Sequence, residues 1–218
     1  MHREEALWIK SVLDDFDSQA ISPLLDIGSA SLEFRKVLQP HIDEFVFAPL
    51  TERGVQVYHV DQKPVVGVDL VGDLMDASFI DELKAFGFKA VLCANVLEHV
   101  RAPDRLAGAI AEIVSNGLVI ITVPCDYPKH LDPIDTMYRP RVDELMSLFA
   151  AGKKCQGRRL FVGRRITGMA RRPWKLAWLL ARCLLPFYRH DGWITAVHSL
   201  MWLFRERTIS CVALRVVR

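Results

Sequence analysis

The chain of 218 residues is 51% hydrophobic and 25% charged, which excludes a disordered chain and suits one large domain at about 150 residues per domain. Twenty-eight Lys and Arg against 26 Asp and Glu give a net charge of +2, so the total selects no partner. The distribution is informative: residues 1–150 hold 13 basic and 24 acidic side chains, whereas residues 151–218 hold 15 basic side chains and only Asp191 and Glu206 as acids.

The N-terminus, MHREEALWIK, is charged from its second residue and lacks the apolar core of a secretory signal. Over residues 2–18, Leu7, Ile9, Val12, Leu13 and Phe16 fall near helical spacing and predict an amphipathic helix that covers a sheet. The short apolar run Ser22–Ile27 stops at Gly28 and is followed by a helix-like stretch over Ser31–Leu38, giving strand, glycine turn, helix. A helix over Asp43–Arg53 and the stop at Gly54 precede a second strand over Val55–Val60, closed by Asp61, and a shorter strand is expected within Val65–Val71. Helix-like Phe79–Phe86 leads past Gly87 to a strand over Ala90–Ala94, and Pro103–Val114 leads past Gly117 to a strand over Leu118–Val123. A proline-punctuated loop from Pro124 to Pro140 precedes a helix over Val142–Ala150 and strands near Arg159–Val162 and over Thr208–Val217. Seven short strands interleaved with helices predict an α/β fold, a mostly parallel sheet with helices on both faces.

Between the last two strands, Trp174–Tyr188 and Trp193–Phe204 are apolar, Trp-rich and Arg-studded where a simple sheet needs only a short connection. The expected organisation is a single domain over 1–218 with a helical insertion at 163–206. Cys93, Cys125, Cys155, Cys183 and Cys211 are odd in number, widely spaced and without a C-x-x-C pair, which suggests neither a disulfide framework nor a zinc knuckle. No run reaches about 18 charge-free apolar residues. A cytoplasmic protein is expected, with the membrane surface still open to it.

Ligands of open α/β sheets bind outside the carboxyl ends of the strands. The first strand ends in Asp26-Ile27-Gly28-Ser29-Ala30-Ser31, a carboxylate, a glycine where backbone can approach a ligand, and small residues. The second ends in Asp61, an acid able to accept both hydroxyls of a ribose. The third ends in Gly72-Asp73-Leu74 and the fourth in Asn95-Val96-Leu97-Glu98-His99. A pocket so lined repels pyrophosphate and suits a cationic, phosphate-free nucleoside, and neither G-x-G-x-x-G nor G-x-x-x-x-G-K-[ST] occurs.

With these residues the sequence resembles the class I S-adenosylmethionine-dependent methyltransferases, of the type 11-like kind. LLDIGSAS looks like their first motif, YHVD like the second-strand acid, VGDLMD like the segment beside the adenine, FKAVLCANVLEHVRAP like the fourth-strand motif and NGLVIITVP like the fifth strand. PIDTMYRPRVDELMSLF is similar to the segment that follows, and the resemblance covers about residues 20–162 and the final strand. It implies a Rossmann-like methyltransferase fold, a mostly parallel seven-stranded sheet with an antiparallel last strand and a helical insertion before it. It implies S-adenosyl-L-methionine as cofactor, with Asp26, Gly28 and Ser29 in the first motif against its methionine part, Asp61 on the ribose, Asp73 and Leu74 at the adenine edge, and Asn95 at the amino-acid or sulfonium end. The family's second and third glycines are replaced by Ala30 and Leu32.

His99 is the candidate base, since an imidazole titrates near neutrality. The loop HLDPIDTMYRP resembles the family's acceptor-side loop and offers His130, Asp135, Tyr138 and Arg139, of which Asp135, Tyr138 and Arg139 are the substrate-binding candidates. Glu98-His99 also resembles the metal-binding segment of the ubiquinone-pathway and small-RNA O-methyltransferases, but Asn95 stands where those have a further Glu, so no metal is expected. Plain structural readings exist for each residue: Asp26 and Asp61 as turn carboxylates, Asp73 and Asp76 as helix caps, His99 packed on the sheet, and Arg139 paired with Asp135.

The insertion carries Arg164, Arg165, Arg171, Arg172, Lys175, Arg182 and Arg189 among Trp174, Trp178, Phe187, Tyr188, Trp193 and Trp202. Trp with Arg is the composition of an interfacial helix, so peripheral contact with an anionic membrane is expected. A helical hairpin folded over the acceptor pocket is the equal alternative. Nucleic acid is disfavoured, because the apolar stretches are too continuous for a solvent-facing groove. The function expected is methyl transfer to a small or lipid-linked acceptor, on oxygen. Its alternative is a methyltransferase-like binding or scaffold module that has lost catalysis and acts through the basic insertion.

Overall fold

Strands covered on both faces need apolar residues throughout, and β4 (Ala90–Ala94) and β5 (Asn116–Pro124) are buried along almost their whole length. In the computed structural model, which describes residues 1–129, 134–149, 152–164, 173–184 and 190–217, they form the centre of one seven-stranded sheet. The other strands are β1 (Leu24–Ile27), β2 (Val57–Asp61), β3 (Leu70–Val71), β6 (Gly152–Arg164) and β7 (Glu206–Val217). Their order is β3-β2-β1-β4-β5-β7-β6. β1 runs parallel to β2 and β4, and β7 runs antiparallel to both β5 and β6, as the expected fold requires.

The helices are α1 (Arg3–Asp14), α2 (Ser18–Ile21), α3 (Ala48–Glu52), α4 (Ala77–Lys84), α5 (Pro103–Ile113), α6 (Val142–Ser147), α7 (Pro173–Cys183) and α8 (His190–Met201). On one face of the sheet Leu25, Val91, Val119 and Ile121 meet Leu83 of α4, Ile110 of α5 and Leu145 of α6. On the other, Leu24, Leu92, Leu118 and Ile120 meet Trp8, Ile9 and Leu13 of α1 and Leu50 of α3. Each such side chain contributes about 1.5–3 kcal/mol by leaving water.

Two expected helices are present with a locally widened turn, and one strand departs from the sequence reading. The helix expected over Ser31–Leu38 is present over residues 32–38, its turn at Phe34–Leu38 widened so that Gln39 N donates to Phe34 O at 2.9 Å. The helix expected over Asp43–Arg53 is present and runs unbroken through residue 52, wound wide at Asp43–Phe47 before α3, where Pro49 needs no i−4 donor. The strand expected at Arg159–Val162 is the much longer β6, Gly152–Arg164. β6 pairs with β7 alone, and an edge strand tolerates the charged Lys153, Arg158 and Arg159, which hid its length in the sequence.

Candidate active site

The strand order reverses between β1 and β4, so the crevice lies between the turn after Ile27 and the turn after Ala94. In the first turn, Gly28 at φ +71° and Ala30 at φ +54° take the left-handed conformation. Gly28 N and Ser29 N donate to Val60 O at 2.9 and 3.1 Å. Ala30 N donates to Asp61 Oδ2 at 3.1 Å, and Lys63 N to Asp61 Oδ1 at 3.1 Å, which holds the second-strand acid against the first turn. Beneath the turn Arg35 is buried and donates to Ser29 O, Ala30 O and Gly67 O at 2.9, 2.8 and 2.7 Å. Burial lowers its pKa, with Asp26, Asp69 and Asp43 acting in the opposite sense.

The departure at Leu32 has a structural counterpart. Leu32 N donates to Val66 O at 2.8 Å, and a Cβ at Gly67 would fall 2.6 Å from Leu32 Cβ. The bulk added at Leu32 is met by a glycine on the facing loop. Gly28 is required for a similar reason: a Cβ there would fall 2.5 Å from Val96 Cγ2, across the crevice.

Asp26 does not open onto the crevice. It sits in register with His59 of β2, is 5% exposed, and its Oδ2 lies 2.8 Å from His59 Nδ1, while the imidazole meets Phe47 edge-on at 4.8 Å. Asn95, at φ +56°, donates through Nδ2 to Glu5 Oε1 at 2.6 Å, and Thr122 Oγ1 donates to the same oxygen. Glu5 Oε2 accepts from His2 N at 2.9 Å. The first turn of α1 therefore crosses the ends of β4 and β5, with the Glu5 carboxylate buried under it.

Glu98 is the exception in this bonded cluster. It is fully buried, and neither carboxylate oxygen has a hydrogen-bond partner among the described residues. Burial pushes its pKa up to about 7, against the pull of its own backbone N–H, His99 and Arg139, with Glu5 adding to the rise. His99 bonds through Nδ1 to Ile134 O, and its Nε2 lies 3.8 Å from Glu98 Oε1. Thr136 fastens the facing loop, donating through N and Oγ1 to Glu98 O at 2.9 Å each.

In that loop Arg139 is bonded to Asp135 at 2.6 Å and to the carbonyls of Tyr127, Pro128 and Tyr138. Tyr138 is half-buried, which raises its phenol pKa. His130 lies outside the described residues. Asp73 Oδ1 accepts from Met75 N at 2.9 Å, Asp76 caps α4 through Ser78 N at 2.9 Å, and Leu74 lines a shallow groove between α4 and α5. Among the described residues no group of three or more His, Cys, Asp or Glu side chains is placed to hold a metal ion.

Gly28, Ser29 and Asp61 are thus joined in one turn, Asn95 follows the neighbouring β4 with its amide on Glu5, Asp73 and Leu74 follow β3, and His99 with the Asp135–Arg139 loop stands beside the end of β4. Asp26, Arg35 and Glu5 lie behind them. A positively charged nucleoside suits this place: the Asp61 carboxylate reaches it from β2, Asp26 adds negative charge from behind the turn, and Arg35 is turned away onto carbonyl oxygens. The contributions of Arg35, His59 and Glu5 were not read from the sequence. Arg35 and Glu5 sit in helix-like stretches where charged residues ordinarily face water, and His59 lies mid-strand with no motif around it.

No protein-family model and no curated protein matches the chain in sequence. Among solved structures the chain is similar to a candidate sarcosine dimethylglycine methyltransferase of Galdieria sulphuraria, with 12% identity, TM-score 0.57, and coverage of 97% of this chain and 85% of that one. It is also similar to the 4+2 cyclase SpnF, with 13% identity, TM-score 0.54, and coverage of 95% and 80%. A SAM-dependent methyltransferase from Aquifex aeolicus gives 13% identity, TM-score 0.50, and coverage of 99% and 93%. At these identities the likeness is one of fold: the chain has the Rossmann-like fold of the class I methyltransferases.

Proposed function

We propose that the protein is an S-adenosylmethionine-dependent methyltransferase that acts on a small or lipid-linked acceptor, at oxygen. The observation that carries this reading is the Asp61 carboxylate held against the Gly28 turn at the crevice where the strand order reverses, with Asn95 at the end of the adjoining β4, in this fold. Asp61, Asp73 and Leu74 would hold the nucleoside, Gly28, Ser29 and Asn95 the amino-acid end, and Asp26 would add negative charge from behind the turn. The bound cofactor supplies an electrophilic methyl group on a sulfonium, whose positive charge suits these carboxylates.

His99 is the proton acceptor in this reading. Its Nδ1 is fixed on Ile134 O, which puts the second proton-accepting position at Nε2, facing Glu98. The buried Glu98 carboxyl lies 3.8 Å behind that nitrogen, and the loop of Asp135, Tyr138 and Arg139 would flank the acceptor. Replacement of His99 by Asn is expected to lower kcat by about 10²–10⁴-fold, with cofactor affinity unchanged.

A second reading, a non-catalytic module of the same fold, is favoured by Val96 packed over Gly28 and by Ala30 N–H already given to Asp61. Calorimetric titration with S-adenosylmethionine and with S-adenosylhomocysteine separates the two. Micromolar binding, weakened at least about tenfold in Asp61→Ala by loss of a charge-assisted pair of bonds, is the expected result. No binding of either nucleoside by folded protein overturns the methyltransferase reading.

A further inference from the structure

Large apolar side chains on a helix ordinarily face an interior, yet on α7 most of them face outward. Trp174 is 65% exposed, Trp178 67% and Leu184 80%, and Leu180 is exposed beside them. The face carrying Leu179 is buried, and α7 and α8 pack on each other with Trp193 Nε1 donating to Cys183 O at 2.8 Å. Ile194, Met201 and Phe204 extend the apolar surface along and beyond α8. Cations stand among these rings: Lys175 Nζ lies 5.3 Å from the centre of Trp174, and the Arg205 guanidinium 5.5 Å from that of Trp202. Over residues 173–205 the sequence has Lys175, Arg182, Arg189 and Arg205 against Asp191 alone.

We propose that this hairpin seats the protein on an anionic lipid surface. Trp174, Trp178, Leu180 and Leu184 enter the boundary between head groups and acyl chains, and Lys175 and Arg182 meet the negative head groups. Among the described residues no helix is long and apolar enough to cross a membrane, so the contact lies in the plane of the interface. Charge selects lipid over a second copy of this chain, because two such hairpins repel each other. Continuity of the apolar surface selects lipid over RNA, whose phosphates and bases would leave the Leu and Ile side chains unserved. The inference stands apart from methyl transfer; where both hold, the acceptor is delivered by the membrane and the lipid-linked class is the one used.

The test is flotation of the full chain with vesicles of phosphatidylcholine alone and of phosphatidylcholine mixed with phosphatidylglycerol. Co-flotation with the anionic vesicles at low salt, released as salt rises, is the expected result. Lys175→Gln and Arg182→Gln each weaken it about fivefold, and the double variant Trp174→Ser/Trp178→Ser abolishes it while keeping the parent's circular dichroism and unfolding midpoint. Absence of co-flotation by folded protein, equal binding to neutral vesicles, or binding of a single-stranded RNA that displaces the vesicles each overturns the proposal. Titration of the Trp double variant with S-adenosylmethionine is expected to match the parent, so failure at the hairpin and failure at the crevice are read separately.

Discussion

At the carboxyl ends of β1, β2 and β4, polar side chains are bonded to the protein itself: Asp61 to Ala30 N, Asn95 to Glu5, Asp26 to His59, and Arg35 to three carbonyls. Across α7 the reverse holds, and large apolar side chains face solvent with cations beside them. Groups bonded inward are set by folding and ready before any ligand arrives, whereas groups left outward gain their energy only when a partner covers them. The crevice and the hairpin therefore respond in opposite ways to substitution.

The contrast is tested most severely at Arg35. Arg35→Met removes the bonds to the carbonyls of Ser29, Ala30 and Gly67, leaving Ala30 O only the Ser29 Oγ donor at 3.3 Å, and is expected to destabilise by about 3–5 kcal/mol in urea unfolding. A loss below about 1 kcal/mol would mean that the turn is not held from beneath.

Glu98 gives the next largest effect, and its sign depends on pH. Burial favours its protonated form, so the folded pKa of about 7 lies above the ordinary 4.5. The stability it contributes is complete below about pH 4.5 and is lost as pH rises through 7. Glu98→Gln is expected to be more stable than the parent at pH 8, by on the order of 3 kcal/mol at most, and to flatten the profile between 4.5 and 7. His2 works in the other direction. Burial, the amino terminus and Arg207 lower its pKa from 6.5 to about 4, so its contribution is present above pH 6.5 and is lost as pH falls toward 4. His2→Gln should flatten that acid limb alone.

Gly28→Ala is smaller, about 1–3 kcal/mol, because the added methyl meets Val96 and the backbone sits at φ +71°. Val96→Ala in the same chain should return part of that loss, and strict additivity of the two would show that they do not meet. The smallest effect is expected at the hairpin, where Trp174→Ser/Trp178→Ser changes stability by about 0.5 kcal/mol or less.

The same contrast explains what could be read in the sequence. β1, β4 and β5 announce themselves as short apolar runs stopped by glycine or a polar residue, and strand ends name Gly28, Asp61 and Asn95 directly. The hairpin is visible as composition, since four of the five tryptophans lie there with the surplus of arginine. Bonds made over long separations leave no local mark. Glu5 meets Asn95 and Thr122 from the far end of the chain, Arg35 meets Gly67, and Asp26 meets His59, so each needs the folded sheet to be seen. β6 was underestimated because its charged residues break the apolar pattern that a covered strand would show.

The junction of β6 and β7 bears on how the insertion can change. The two strands are antiparallel neighbours, and Arg164 and Glu206 face each other across their open end with Nη2 and Oε1 2.7 Å apart. In topology the chain between Arg164 and Glu206 is the connection of a β-hairpin. Loop-closure entropy grows only with the logarithm of length, so a tenfold shorter connection would alter stability by about 2 kcal/mol. A lineage could lengthen, trim or exchange these helices while the sheet beneath stayed the same, and a chain with a short turn between Arg164 and Glu206 should fold and keep its crevice while losing whatever the helices hold on to.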